Sequence, residues 1–442
     1  MGNLYLSAAL TAGMTLLVGC GGGDSANTTS PDKGGVVATK IVFDALGRLP
    51  AECGRVNRPL ADVKLLAHTV DGKTIKTFTT DAKGHIEAEW PQNARHFTAI
   101  YKSPNGDYFI DAVLDAANSD FGRFTYAVEP LAGECQCTDL TLNWQDIRAS
   151  MPEYQLTLTG ELQNLLRSGS GMDTYRVCKD QQGRYGKLQA MLMPTTSGPA
   201  YVMEADINSL VANPNVNLNL AQFKQAGREI RVTTNASVNN FSISSIRTFT
   251  PTQFGRAFNT TFNSRATPRV FELDGAKSTI AVNFGKQNTG FYNYGTERIV
   301  LDKTDSDVVI NLPTNQSDVL QAIQKAIGNA PDIGGMEYDF SFLTNYSQAS
   351  FFLESNKITV GFYGPMKAKI PDFEWPQEVL ALMNNSDFSL EVSFNGINPA
   401  WDYKTYNQKV VQRSRDPSLE SKDPSLLPYH FYSFDFDAPV SF

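Results

Sequence analysis

Apolar and polar side chains alternate in short segments along most of the chain. After residue 137 the clearest examples span residues 154–158, 280–284, 308–312 and 388–394, where a large apolar side chain occupies every second position. This period places the apolar side chains of a strand on one face of a sheet. The pattern therefore predicts a mainly β protein whose larger part is an antiparallel β domain.

Only a few segments show the helical period of apolar residues. Residues 317–328 begin with a serine, a preferred N-cap, and end with a glycine, while residues 376–383 place a proline in the first turn. Residues 204–212 and 218–226 fit the helical period less well. We therefore expect a few short helices within the β fold.

The pattern over residues 36–128 predicts short strands separated by turn residues. Asp71-Gly72 is a strong hairpin signal, and a run of turn residues follows at residues 79–86. The positions that complete this pattern upstream are Asp44, Gly47, Pro59, Leu60 and Val63. The segment resembles the carboxypeptidase regulatory-like family, which implies an Ig-like, prealbumin-like β-sandwich with an accessory role. An insertion at residues 49–58 departs from the family pattern.

The first apolar run of the chain ends in Leu17-Val18-Gly19-Cys20. This motif resembles the lipobox of bacterial lipoproteins. The resemblance implies that a signal peptide is removed, that the Cys20 sulfur is diacylated, and that the new N-terminus receives an acyl chain such as palmitate. Gly21 follows the cysteine at the position where an aspartate would, in the enterobacterial pattern, signal retention in the inner membrane, so the resemblance implies transfer to the outer membrane.

The chain has 442 residues, more than one hydrophobic core usually accommodates. The predicted order is a signal peptide at residues 1–19, a flexible tether at 20–35, the sandwich at 36–128, a junction at 129–137 and the large β domain at 138–442. The junction carries two cysteines. One domain and two subdomains both fit the pattern of the last segment.

Besides Cys20, the chain contains Cys53, Cys135, Cys137 and Cys178. An even number of cysteines in an exported protein predicts disulfide bonds. A bond from Cys135 to Cys137 would strain a very short loop, so we expect one of them to pair with Cys53 and the other with Cys178. Four free thiols are the alternative.

The composition indicates a folded chain with no affinity for nucleic acid. Hydrophobic residues account for 41% of the chain and charged residues for 19%. There are 46 acidic and 38 basic residues, for a net charge of −8, and no basic cluster stands out. Nucleic-acid binding requires such a cluster, and we exclude it.

Residue patterns that indicate catalysis or metal binding are few. His430 is the histidine of the predicted large domain, but no Gly-x-Ser-x-Gly elbow accompanies it, which favours a packed histidine. His85, Glu87 and Glu89 share one strand face without a second ligand motif, which favours a solvated polar face. The sequence therefore nominates no catalytic residue, no metal site and no cofactor.

Two aromatic clusters are the candidates for ligand binding. They consist of Phe291, Tyr292 and Tyr294, and of Trp401, Tyr403 and Tyr406. Rings in turn-rich loops can form platforms for sugars or partner proteins, although core packing also produces such clusters.

The leading hypothesis is a lipid-anchored, non-catalytic protein of the cell envelope, facing the periplasm or the cell surface. It would contact the membrane through its lipid and bind a glycan or an envelope protein. An envelope hydrolase with an accessory sandwich is the first alternative. The alternation from Tyr432 to Phe442 is similar to the closing strand of outer-membrane β-barrels, which gives a lipidated barrel as the second alternative. Pro439 within that strand argues against a barrel.

Overall fold

The computed structural model describes residues 40–50, 53, 57–116, 119–160, 163–167, 171–179, 183–195, 198–212, 215–225, 229–235, 241–249, 269–271, 279–302, 306–328, 333–416 and 419–440. Strands predominate in these ranges and the helices are short, which confirms the mainly β fold class. Within the same ranges, no helix has both the length and the apolar character needed to span a membrane.

The elements follow one another in three groups. The first contains β1 (Lys40–Arg48), β2 (Asn57–Pro59), β3 (Lys64–His68), β4 (Thr74–Thr79), β5 (His85–Glu89), β6 (His96–Lys102), β7 (Tyr108–Val113) and β8 (Asp120–Ala127). The second contains β9 (Cys137–Asn143), α1 (Gln145–Ser150), β10 (Tyr154–Gly160), β11 (Gln163–Arg167), β12 (Met172–Cys178), β13 (Lys187–Pro194), β14 (Tyr201–Asp206), α2 (Ile207–Leu210), β15 (Asn215–Asn217), β16 (Lys224–Gln225), β17 (Glu229–Thr234), β18 (Ser242–Phe249) and β19 (Arg269–Phe271). The third contains β20 (Thr279–Asn288), β21 (Phe291–Val300), β22 (Asp307–Ile310), α3 (Gln316–Gly328), β23 (Glu337–Asp339), β24 (Gln348–Glu354), β25 (Ile358–Gly364), β26 (Lys367–Lys369), α4 (Gln377–Met383), β27 (Phe388–Gly396), α5 (Tyr403–Arg415), α6 (Leu419–Lys422) and β28 (Tyr429–Val440).

One sheet of eleven strands runs through the molecule in the order β18-β20-β21-β28-β27-β24-β25-β7-β6-β3-β4. Its neighbouring strands are antiparallel, except that β25 and β7 are parallel, with register partners from Ile358 and Tyr108 to Tyr363 and Val113. This pair joins the N-terminal strands to the C-terminal strands. The segment that resembles an accessory sandwich therefore shares a sheet with the C-terminal half of the chain.

The two faces of this sheet carry different contacts. The inner face buries aromatic and branched side chains of the C-terminal strands together with α3, including Phe351, Phe394 and Phe434. On β6 and β3 the opposite, outer face packs against β1, β5 and β8 around Phe43 and Phe97. This second contact forms a two-layered sandwich within residues 40–128.

Residues 137–225 form two four-stranded sheets with cores of their own. A disulfide joins Cys137 to Cys178, which are register partners on β9 and β12. A second disulfide joins Cys53 to Cys135 and closes a separation of 82 residues. The predicted pairing, one junction cysteine to each distant cysteine, is confirmed.

Two of the predicted helices are confirmed, as α3 and α4. The segment at 204–212 instead continues β14 before the single turn of α2, and the segment at 218–226 contains a 3-10 turn and β16. Helix α5 was not predicted. Its N-cap is Asp402, whose side chain accepts a hydrogen bond from the Thr405 amide.

The hairpin between β3 and β4 is held against a distant segment by a buried histidine. The His68 ring contacts the Gly72 carbonyl at 3.0 Å and the Thr98 hydroxyl at 2.9 Å. It also lies edge-on to Phe373, with ring centroids 4.9 Å apart. Burial lowers the pKa of His68 to about 4, so the ring is neutral at pH 7.

Acid is therefore expected to destabilise the protein through His68. The unfolded chain binds a proton near pH 6.5, whereas the folded chain does so near pH 4, so stability falls as the pH drops through this window. The shift corresponds to about 3 kcal/mol at pH 4. Urea unfolding at pH 7 and pH 4 measures this loss. The loss should shrink in His68→Gln, and an unchanged pH dependence in that variant would contradict the assignment.

Candidate functional site

The outer face of the central sheet has a polar floor where the sandwich does not cover it. Ser433, Ser393 and Ser350 are successive register partners on β28, β27 and β24, and all three are buried. Small hydroxyl side chains in one row leave space that larger flanking side chains fill. The flanking side chains are tyrosine, phenylalanine and carboxylate groups.

A tyrosine and a carboxylate meet at one end of this floor. The Tyr294 hydroxyl donates a hydrogen bond of 2.9 Å to Glu391 Oε1, and the Ser433 hydroxyl donates one of 2.6 Å to the same oxygen. Burial, followed by the charge of Glu391, raises the pKa of Tyr294, so the phenol remains a donor at all physiological pH values. Two donors thus hold Glu391 in one position.

Tyr292 extends this group towards solvent. Its ring is stacked on that of Tyr294, with centroids 5.5 Å apart and planes inclined by 17°. Tyr292 is 36% exposed and lies across Gly285 of β20, where a Cβ atom would overlap its hydroxyl. The missing side chain at Gly285 is therefore what allows the two rings to lie parallel.

A second tyrosine–carboxylate pair lies at the other end of the floor. The Tyr363 hydroxyl donates a hydrogen bond of 2.9 Å to Asp111 Oδ1, and the Tyr363 ring contacts Phe352 edge-on at 5.5 Å. Burial raises the pKa of Asp111 to about 6, although the Tyr363 hydrogen bond acts in the opposite direction. Tyr126 of β8 interacts electrostatically with the same carboxylate, which places the sandwich beside this end.

Helix α5 borders the floor and is tied to the sandwich by ion pairs. Arg415 forms ion pairs with Asp44 of β1 and with Asp120 of β8, the latter at 2.7 Å. Gly122 has a φ of +83°, and a Cβ atom there would lie 3.1 Å from Val411 of the helix. A glycine is required here both for the left-handed backbone and for the close approach.

The same helix is tied to the central sheet. Arg413 and Arg298 both pair with Glu420, at 3.1 and 3.5 Å, and Arg298 lies on the outer face of β21. The Gln348 amide contacts Asn407 of α5 at 3.5 Å. Helix α5 therefore covers one end of the outer face and leaves the rows beyond the serine floor more open.

Beyond the serine floor the face carries alternating aromatic and acidic side chains, and together with Tyr294 at the end of the serine row they form a surface that we call the outer strip. The outer strip consists of Tyr292, Tyr294, Phe352, Glu354, Glu391 and Asp435. Asp435 is the register partner of both Tyr292 and Glu391, and Phe352 is the register partner of Glu391. Partners in register lie about 5 Å apart, so these side chains form one continuous surface.

The structure separates the first predicted aromatic cluster. Tyr292 and Tyr294 lie on the outer strip, whereas Phe291 points to the inner face and packs on Phe434 and Phe436, at 5.9 and 6.0 Å. Adjacent residues of a strand necessarily point to opposite faces. The pair Tyr292 and Tyr294 is thus the part of this cluster that can meet a ligand.

The second predicted cluster does not form a platform in a loop, because the segment is helix α5. Tyr403 is 8% exposed and Tyr406 is 5% exposed. The Tyr403 hydroxyl donates to the carbonyl groups of Leu114 and Tyr363, each at 3.1 Å. Trp401 is half-buried before the helix, with the Lys409 ammonium 5.9 Å from its ring. These three residues secure the helix.

His85 and His430, which the sequence singled out, each contact a carboxylate. His85 contacts Asp44 at 2.6 Å, and Glu87 faces Lys40 at 3.5 Å. The described ranges contain no group of three or more His, Cys, Asp or Glu residues positioned to hold a metal ion. His430 contacts the Glu297 carboxylate at 2.5 Å, and its ring lies edge-on to that of Tyr346, with centroids 6.3 Å apart. Its side chain points to the inner face of the sheet.

Sequence reasoning missed Phe352, Glu354, Glu391 and Asp435. Glu391 and Asp435 are polar members of the alternating segments at 388–394 and 432–442, whereas Phe352 and Glu354 lie in a segment where successive residues 351–353 are all apolar. Their common location depends on strand order and register, which no local pattern encodes.

Cys20 and the predicted signal peptide lie outside the described residues. No family model, curated protein or solved structure matches this chain.

Proposed function

We propose that this protein is a lipid-anchored, non-catalytic component of the bacterial envelope that binds a glycan through the outer strip. The lipobox motif at Cys20 supports the anchor. Two disulfides support an oxidising compartment, because such bonds persist outside the cytosol. The outer strip supports the binding role.

The observation that carries the proposal is the stacked pair Tyr292 and Tyr294 beside the fixed carboxylate of Glu391. The C–H face of a sugar ring packs on an aromatic face, while its hydroxyl groups donate hydrogen bonds to carboxylates. Both groups sit on paired strands in the middle of a sheet. Their positions are therefore set before the ligand arrives, which lowers the entropic cost of binding.

The two tyrosine–carboxylate pairs of this face are too far apart to act together in hydrolysis. Two carboxylates that cleave a glycosidic bond stand about 5 to 10 Å apart across an open site. Glu391 and Asp111 lie on β27 and β7, three strand spacings or about 14 Å apart along the sheet. Phe352 and Tyr363 lie on the two strands between them. This spacing does not suit Glu391 and Asp111 as a catalytic pair.

Binding of oligosaccharides to the full chain tests the proposal. Isothermal titration with a panel of envelope-type and plant-type oligosaccharides should yield at least one ligand. The double replacement Tyr292→Ala with Tyr294→Ala removes the stacking surface. It should lower the affinity for that ligand about tenfold or more. Phe342→Ala removes a similarly exposed ring elsewhere, 43% accessible, and should leave affinity unchanged. Equal effects of the two changes would refute the proposal.

A further inference from the structure

We infer that the outer strip binds a straight, β-linked oligosaccharide, a tetrasaccharide or longer, that lies across the strands. This inference rests on the proposed function and specifies its ligand class. It follows from two aromatic contacts in one row of the sheet, from the acceptor between them, and from the way in which the row ends.

One row of the outer strip has an aromatic ring at each end. Tyr292 of β21 and Asp435 of β28 are register partners, and Asp435 is also the register partner of Glu391 on β27. Glu391 is in turn the register partner of Phe352 on β24. The two rings therefore lie three strand spacings apart, about 14 Å along the sheet. A single sugar ring cannot contact both of them.

A straight chain of sugar rings spans this distance. In an extended β-linked chain of hexoses, the first and fourth rings are separated by about the distance between Tyr292 and Phe352, whereas a disaccharide reaches only one of the two. An α-linked chain of the same length curves away from the row. The equatorial substituents of a β-linked glucose chain leave flat C–H faces that pack on aromatic rings. Because the two contacts are linked within one ligand, the second forms intramolecularly and adds to the affinity.

Glu391 supplies a hydrogen-bond acceptor between the two rings. Its hydrogen bonds from the Tyr294 and Ser433 hydroxyl groups both end on Oε1. The other oxygen of this half-buried carboxylate, Oε2, is therefore the atom that a ligand hydroxyl meets. Sugar units in the middle of the ligand would donate hydrogen bonds to this oxygen, while the outer units stack on the rings.

The row offers no further stacking surface beyond its two aromatic ends. Phe352 is the register partner of Gly361, and a Cβ atom at Gly361 would lie 2.9 Å from the Tyr363 hydroxyl. The Tyr363 ring thus occupies the next position and contacts Phe352 edge-on, and the strand after it, β7, lies under the sandwich. At the other end, the register partner of Tyr292 is Gln287. Units added to a tetrasaccharide therefore meet no third aromatic face in this row.

Titration of the full chain with glucose oligomers tests this inference. The series consists of β-1,4-linked oligomers from the disaccharide to the hexasaccharide, with the α-1,4-linked tetrasaccharide for comparison. We expect the affinity to rise about tenfold or more from the β-linked disaccharide to the tetrasaccharide, because the second ring is then reached. It should change little from the tetrasaccharide to the hexasaccharide. The α-linked tetrasaccharide should bind about tenfold more weakly than the β-linked one.

A pair of variants identifies the second aromatic contact. Phe352→Leu keeps apolar bulk but removes the flat ring. The ratio of the tetrasaccharide affinity to the disaccharide affinity should therefore fall about fivefold or more. Phe342→Ala removes an exposed ring outside the outer strip and should leave this ratio unchanged. A ratio that falls equally in both variants would overturn the assignment of Phe352.

The outcomes separate this inference from the proposed function. Equal affinities for the β-linked disaccharide and tetrasaccharide, or for the two tetrasaccharides, overturn the inference while the proposed function stands. Binding of another glycan without binding of the β-linked glucose series has the same meaning. Failure of every tested glycan overturns both.

Discussion

A chain that begins at residue 129 is expected to aggregate instead of folding, although a domain boundary is predicted near that position. Strand β7 pairs with β25, and Ile110 and Ala112 of β7 are buried in the inner core. Without residues 40–128, β25 would present an unpaired edge. The inner core would also lose Leu66, Ile100, Tyr108 and Leu114. The lost burial amounts to about 10 kcal/mol, comparable to the stability of a whole domain.

The comparison should be made between residues 129–442 and residues 40–442, both produced in an oxidising compartment. The shorter chain carries Cys135→Ser, since its partner Cys53 is absent. Size-exclusion chromatography and circular dichroism should find the longer chain monomeric and folded. A monomeric shorter chain with a sharp unfolding transition would show that the two segments fold independently, contrary to the expectation.

The local features of the fold were predictable because they depend on neighbouring residues. Alternation identified strands such as β27, and the helical period of apolar residues identified α3, although the predicted N-cap Ser317 lies within the helix, which begins at Gln316. The pairing of β7 with β25 was not predictable, because it joins residues about 250 positions apart and leaves no local signal. Helix α5 had a signal in Asp402 followed by Tyr403 and Tyr406, but three aromatic rings after a proline also suit an exposed loop.

The candidate site was predictable only in part. Tyr292 and Tyr294 were nominated as aromatic residues, and the alternation of β21 already implied that Phe291 points the other way. Glu391 and Asp435 carry no motif, because carboxylates on strand surfaces are common in any β protein. Their importance follows from register, which brings both beside Tyr294 across three strands. Such a constellation is encoded in the order of strands along the sheet and not in a spacing along the chain.

Replacement of the buried residue Glu297 is expected to destabilise the fold strongly. Glu297 is 5% exposed, and its carboxylate contacts His430 at 2.5 Å and accepts a hydrogen bond of 3.4 Å from Tyr346. Burial raises the pKa of Glu297, while His430 acts in the opposite direction. The raised pKa means that the ionised form is less stable in the fold than in the unfolded chain, so ionisation above pH 4.5 lowers stability.

Two substitutions separate the charge of Glu297 from its hydrogen bonds. Glu297→Ala leaves His430 and Tyr346 buried without their acceptor, so we expect a loss of about 3 kcal/mol in the free energy of unfolding at pH 7. Glu297→Gln keeps an acceptor of the same shape and removes the cost of burying a charge, so we expect a change within about 1 kcal/mol. Urea unfolding of both variants at pH 5 and pH 7 measures these differences. Equal losses in the two variants would show that the charge itself stabilises the fold, because only the charge is absent from both.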